Sequence, residues 1–253
     1  MTFPNDTGKH EAESVFTVED LLADEDIDAE ETPDAVILCY QDAFFEDVVA
    51  EYTDGEALRE VGGGGLYRIT ERVGVLGDFG IGSPVTAGVV AEQAARGTDA
   101  FCILGGAGCL DPEIPPEQAL LATSAIRDEG ASHHYLPPEQ RVAATPALRE
   151  RVRSAVTDAG IGVESGPTWT IDAFFRETVP EVRQYREDGV LSVEMEAATL
   201  FALAAYHGFD AAAVFAIGDY VTAEDRTVPD ASHELLPELV EPTVAALQRH
   251  LEE

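Results

Sequence analysis

The sequence predicts a single α/β domain built on a largely buried central sheet, and two observations carry that prediction. Short apolar runs rich in β-branched residues alternate with longer helical stretches from residue 33 onward, without a compositional break. Glycine clusters directly follow two of those runs, where strands of such folds hand over to ligand-facing loops. With 253 residues and 45% hydrophobic content, the chain can enclose a large core.

Residues 1–32 read as an acidic N-terminal segment (Glu19, Asp20, Asp24 to Glu31) holding one short helix over Val18–Ala23, and residues 33–253 as the domain proper. Ala35–Tyr40 is too short and too β-branched for a helix, so it is a buried strand. Gly62–Gly65 is a turn leading into strands over Leu66–Thr70 and Arg72–Leu76. After the glycine-rich stretch Gly77–Pro84, a helix spans Val85–Arg96, with Pro84 near its start and Gly97 past its end. Ala100–Leu104 is the next strand and runs into Gly105–Gly108; further strands are expected over Ala119–Ile126, Ile161–Glu164 and Ala211–Ile217. Helices are expected over Pro146–Asp158, Val179–Glu187, Glu194–His207 and Glu234–Leu251.

The charge is lopsided: 49 Asp and Glu face 15 Lys and Arg, a net −34, and Lys9 is the only lysine. Such a polyanion repels phosphate backbones, which argues against a nucleic-acid partner. No apolar stretch suits a membrane span and no signal-peptide pattern is visible, so the expected location is cytoplasmic. Acid excess with almost no lysine suits a salt-filled, halophilic cytoplasm, because molar salt shortens the Debye length to about 3 Å and screens self-repulsion. An acidic surface built for a basic partner is the competing reading. Cys39, Cys102 and Cys109 are odd in number and mostly apolar in context, as buried free thiols are.

Four places carry residues suited to chemistry. Gly80-Ile-Gly82-Ser-Pro84 could cradle an anion on backbone N–H groups, or be a tight turn. In Ser192-Val-Glu194-Met195-Glu196, two carboxylates lie in apolar surroundings; a sugar diol offers two donors to such a group, and a helix N-terminus is the alternative explanation. Asp219 follows the apolar run Ala211–Ile217, where either a general acid or a turn residue belongs. Trp169 could stack a base or fill the core. His133 and His134 diverge on an extended chain and have no third ligand at metal-site spacing, so no metal is expected.

Over residues 33–250 these signals fall in one order, and the chain resembles the nucleoside phosphorylase superfamily of uridine phosphorylases, hexameric purine nucleoside phosphorylases and methylthioadenosine nucleosidases. Val193-Glu-Met-Glu-Ala197 resembles the family's ribose-binding signature, Gly80–Pro84 and Gly105–Gly108 its two phosphate-side loops, Asp128–His133 its middle segment, and Thr170–Phe174 the segment lending an aromatic to the base. The resemblance implies a mixed, twisted sheet or partial barrel flanked by helices. It implies sugar contacts from Glu196 and Met195, a base contact from Phe174, and anion contacts from Gly80, Gly82, Gly105 and Gly106; Glu194 is counted with the sugar site and Trp169 with the base site on their own chemistry. Asp219 would protonate N7 of a departing purine, an acid that uridine phosphorylases lack at that place. Thr178 and Pro180 stand where Gln and Arg read uracil, which also leans toward purines.

The chain departs from the family on the phosphate side. Where the family's first strand ends in Gly-Asp-Pro-x-Arg, this one continues as Tyr40-Gln-Asp-Ala-Phe44, and Ile103 takes the place of the second arginine. Arg176 is the expected substitute, with Arg68 and Arg127 as alternatives. The implied function is phosphorolysis of a nucleoside to free base and ribose 1-phosphate, in a homo-oligomer of two, three or six chains. Phosphate would be the co-substrate, with no organic cofactor. Hydrolysis by water, or nucleoside binding without turnover, are the alternatives.

Overall fold

The computed structural model describes residues 8–23, 32–232 and 234–252, so the acidic run Asp24–Glu31 lies outside the described residues. In chain order the elements are α1 (Val18–Leu22), β1 (Ala35–Leu38), α2 (Asp42–Tyr52), β2 (Ala57–Val61), β3 (Gly64–Arg68), β4 (Val73–Gly77), α3 (Ser83–Arg96), β5 (Ala100–Cys109), β6 (Gln118–Asp128), β7 (Val142–Ala143), α4 (Pro146–Asp158), β8 (Gly162–Ile171), α5 (Val179–Glu187), β9 (Ser192–Glu194), α6 (Ala197–His207), β10 (Asp210–Val221), β11 (Arg226–Thr227) and α7 (Leu236–His250).

The strands join in one mixed sheet, ordered β11-β10-β6-β8-β9-β5-β1-β4-β3-β2, with β7 on β6. A parallel pairing of β10 with β5 closes β5, β10, β6, β8 and β9 into a five-stranded barrel, from which β1, β4, β3 and β2 extend. β1 lies between β4 and β5, parallel to both, and buries all four residues. That two-sided burial is why it reads as a continuous apolar run.

Alternating side chains of β1 feed two cores. Val36 and Leu38 pack with Val90 of α3 and Leu200 and Phe201 of α6, whereas Ala35 and Ile37 join Phe45 of α2, Val152 of α4 and Leu239 of α7. A smaller cluster of Leu110, Trp169, Ile171, Val193 and Val221 is roofed by Val182 of α5. The three cysteines are free and buried. Among the described residues, no helix is long and apolar enough to cross a membrane.

Several boundaries differ from the sequence expectation. β8 runs on to Ile171 and β5 to Cys109, because pairing with β6 and β10 continues through their glycines. Ser192–Glu194 is a strand rather than the first turn of a helix: its residues pair with both β8 and β5. α2 was not expected; its start at Gln41 lacks a side-chain cap, and it is held by Phe44, Phe45 and Val48 in the core. β2 is an edge strand fixed by its partner β3 rather than by an apolar pattern of its own. Gly64 and Gly65 belong to β3, leaving Gly62 and Gly63 as the turn. Glycine is required at 64, where a Cβ would stand 2.0 Å from the carbonyl oxygen of Gly77.

Candidate active site

The loop joining β4 to α3 is shaped by left-handed backbone at Asp78 (φ 59°), Gly80 (φ 92°) and Gly82 (φ 94°). Gly82 sits immediately before α3, so its N–H points out of the helix start. That N–H donates to Oε1 of Glu196 at 2.7 Å, and the Met195 N–H donates to Oε2 at 3.2 Å. The Ser83 hydroxyl donates to the Met195 carbonyl at 2.8 Å, so the glycine loop and the Met195-Glu196 pair form one hydrogen-bonded unit.

Glu194 and Glu196 differ in what they have left to offer. The Glu194 carboxylate takes the N–H groups of Glu196 (2.8 Å) and Ala197 (2.7 Å), together with the hydroxyls of Thr168 and Thr170. It therefore satisfies the free donors at the start of α6. These four donors let Glu194 hold the turn, and it also lines the adjoining cavity, in which a sugar contact is expected of it. Burial nevertheless pushes its carboxyl up. Glu196 has only two donors; burial, followed by the nearby Glu194 charge, raises it to about 8. Its oxygens keep lone pairs for a ligand.

Beside this unit lies a cavity of about 390 Å³ at the carboxyl ends of β5 and β10. One part of its wall is Gly106, Ala107, Gly108, Val193, Glu194 and Met195, another is Phe174, Glu177, Asp219, Arg226, Val228 and Ser232, while Glu196, Gly80 and Gly82 are not among the lining residues. Asp219 owes its position to an irregularity in the β5–β10 pairing between Ile217 and Asp219, the kind of bulge that re-aims a side chain. The absence of a side chain at Gly108 makes room for it, since a Cβ there would be 3.0 Å from Asp219 Oδ1. The Arg226 Nε–H donates to the buried Asp219 carboxylate from a hairpin in which Val221 faces Arg226.

The other expected site residues fall differently. Phe174 lines the cavity and is about 40% exposed, free to meet a flat ligand. Trp169 does not reach it: its ring is fully enclosed near Tyr185, and its indole N–H donates to Asp128 at 3.0 Å. Trp169 is a core residue, and stacking on a base is ruled out by enclosure. Gly106 lines the cavity, while Gly105 packs under the side chain of Gln41, whose Oε1 would lie 3.1 Å from a Cβ there. Gly80 is exposed at the loop tip.

None of the three arginines considered for an anion lines the cavity. Arg127 donates to the carbonyls of Leu136, Pro137 and Gln140 and to the Ser132 hydroxyl, which ties it to its own loop. Arg68 donates to the Glu71 carbonyl. Arg176 is exposed on the short turn Phe174–Arg176. The family's phosphate-side positions are filled by core: Phe44 and Ile103, at the two arginine places, are buried, and Tyr40, at the glycine place, is buried with its ring 5.2 Å from Phe79 and its hydroxyl 2.8 Å from Thr86 Oγ1.

Residues 34–251 match the family model of the phosphorylase superfamily. The chain belongs to that superfamily. It is similar to a guanosine phosphorylase of Halorubrum lacusprofundi, 33% identical over 62% of this chain and 65% of the relative. It is also similar to a uridine phosphorylase of Thermococcus kodakarensis, 32% identical over 54% of each, and to a DeoD-type purine nucleoside phosphorylase of Bacillus cereus, 28% identical over 82% of this chain and 88% of the relative. The first two matches thus span less than two thirds of the relatives' own lengths.

Two charged residues of this superfamily member's cavity escaped the sequence reading. Arg226 reaches Asp219 because Thr222–Asp225 folds the chain back, with the Thr222 N–H on the Asp225 carbonyl at 2.9 Å; that polar cluster was the available signal. Glu177 is half-buried on the wall, and burial raises its carboxyl to about 7, with Arg226 opposing the shift and Asp219 adding to it. Nothing local in the sequence marks it.

Proposed function

We propose that this chain is a nucleoside phosphorylase that transfers the pentosyl group of a nucleoside, preferentially a purine nucleoside, to phosphate. The observation that carries the reading is Asp219, a buried carboxyl held by Arg226 on one wall of a cavity whose other wall carries Glu194 and Met195, the latter followed directly by the buried Glu196. The names of the relatives point the same way.

As the N-glycosidic bond breaks, the C1′ carbon gains positive charge and the base takes the bonding electrons. Asp219, after taking a proton from solvent, delivers it to N7 so that the base leaves neutral, and a phosphate oxygen forms the new bond to C1′ as the bond to the base breaks. Glu196 accepts from the 2′- and 3′-hydroxyls by exchanging its bond to Gly82. The Gly82 N–H, at the start of α3, is thereby released to an anion. Phe174 covers the face of the base, and Gly106 leaves room beside the sugar.

Hydrolysis is the second reading, and the neutral groups at the family's arginine positions favour it. Chromatography of products from inosine, guanosine, adenosine and uridine, with and without phosphate, decides between them. Base that appears only with phosphate, together with ribose 1-phosphate, is the expected result. Free ribose in both conditions would establish a hydrolase, and no release would overturn both readings.

We further propose that the domain spans 33–253, works in the cytoplasm of a salt-adapted cell and assembles as a homo-oligomer. The net charge of −34 supports the salt adaptation. Raising KCl from 0.1 to 2 M is expected to lift the melting temperature by about 10 °C, taking about 2–4 °C for each kcal/mol in a domain of this size. A flat or falling melting curve would reject the adaptation.

A further inference from the structure

We propose that Glu177 and Arg226 together select the base, accepting bases that present a ring N–H beside a carbonyl and disfavouring adenine; this rests on the reading of the cavity as a nucleoside site. Both side chains line the cavity next to Asp219. Arg226 uses Nε–H on the Asp219 carboxylate, which leaves its terminal N–H groups available as donors.

Glu177 makes no hydrogen bond or ion pair with the described residues, although it is half-buried. A partly buried carboxyl without a protein donor is open to a ligand N–H that replaces its remaining water. The position is firmly set. Glu177 lies between the turn Phe174–Arg176 and the capped start of α5, where the Thr178 N–H donates to Glu181 at 3.1 Å and the Glu181 carboxylate also takes the Thr178 hydroxyl. A donor from Arg226 beside an acceptor from Glu177 complements the C6 carbonyl and N1–H of hypoxanthine or guanine. Adenine presents the reverse, an amino donor beside an N1 acceptor. Phe174, the aromatic of the same turn, would lie on the face of that base. The raised carboxyl of Glu177 is consistent with a group that lacks its donor until ligand arrives.

The test is calorimetric binding of the free bases hypoxanthine, 1-methylhypoxanthine and adenine to wild type and to Glu177→Ala, with thermal melts of both proteins. Wild type is expected to bind hypoxanthine about 10- to 100-fold tighter than the N1-methylated base, the loss that follows when a hydrogen bond to a charged group is removed. Glu177→Ala is expected to erase that ratio while melting normally. Equal affinities in wild type, or an unchanged ratio in the variant, would overturn the proposal. Because binding is read without turnover, a protein that shows this selectivity yet cleaves no nucleoside would refute the phosphorylase reading and leave the base selection standing.

Discussion

Asp219→Asn is expected to lower kcat on inosine by about 10²- to 10⁴-fold, the usual scale for a positioned general acid, and to leave 7-methylguanosine nearly untouched. Asparagine matches aspartate in volume, and its carbonyl can still take the Arg226 N–H in the same pocket. It has no proton to deliver to N7. In 7-methylguanosine that nitrogen is already alkylated and the base leaves without protonation, so the contrast between substrates isolates proton transfer from folding and sugar contact. Equal losses on both substrates would remove the acid role and reduce Asp219 to a partner that anchors Arg226. Arg226→Ala is the less informative variant, because it leaves the buried Asp219 carboxylate without its ion pair.

The site is legible in the sequence where one short segment carries both its structure and its chemistry. Met195 and Glu196 follow β9 directly, and Gly80 to Gly82 follow β4, so local pattern and position in the fold coincide. It was illegible where distant segments meet. Glu177 and Arg226 come from different segments separated by α5, β9, α6 and β10, and only the closed barrel brings them to one wall. Glu194 was legible only in part: it lines the cavity, as its carboxylate chemistry suggested, but its hold on a helix start and two threonines was not visible in the sequence. Trp169 fails for a related reason: sequence cannot say on which face of β8 an aromatic lands, and here it lands among Leu110, Val182 and Val193.

Glu196→Gln is expected to lose function and gain stability, in a pH-dependent way that separates the two roles of the carboxylate. In the folded chain burial and Glu194 raise the carboxyl to about 8, above its ordinary 4.5. The fold therefore binds more protons than the unfolded chain between those values, and stability declines as pH rises from about 4.5 to 8. The full displacement corresponds to at most about 5 kcal/mol, at about 1.4 kcal/mol for each pH unit. Glutamine carries no charge, and its carbonyl can still accept the Gly82 N–H, while its NH2 gives up only the longer bond from the Met195 N–H. The variant should melt close to wild type at pH 5 and several degrees above it at pH 9. A difference that stays constant with pH would show that Glu196 is not held mainly neutral by the fold. On the functional side, a carboxylate can accept from two sugar hydroxyls at once, whereas glutamine must turn an N–H toward one of them. With about 1.5–3 kcal/mol for each charge-assisted bond, kcat/KM on a purine nucleoside at pH 9, where the carboxyl is ionised, should fall about 10²- to 10⁴-fold. Free-base binding, which needs no sugar contact, should remain. Near-normal turnover in a variant with the expected melting behaviour would leave Glu196 as an acid buried for the loop's sake, and the sugar would have to be held by other groups around Met195.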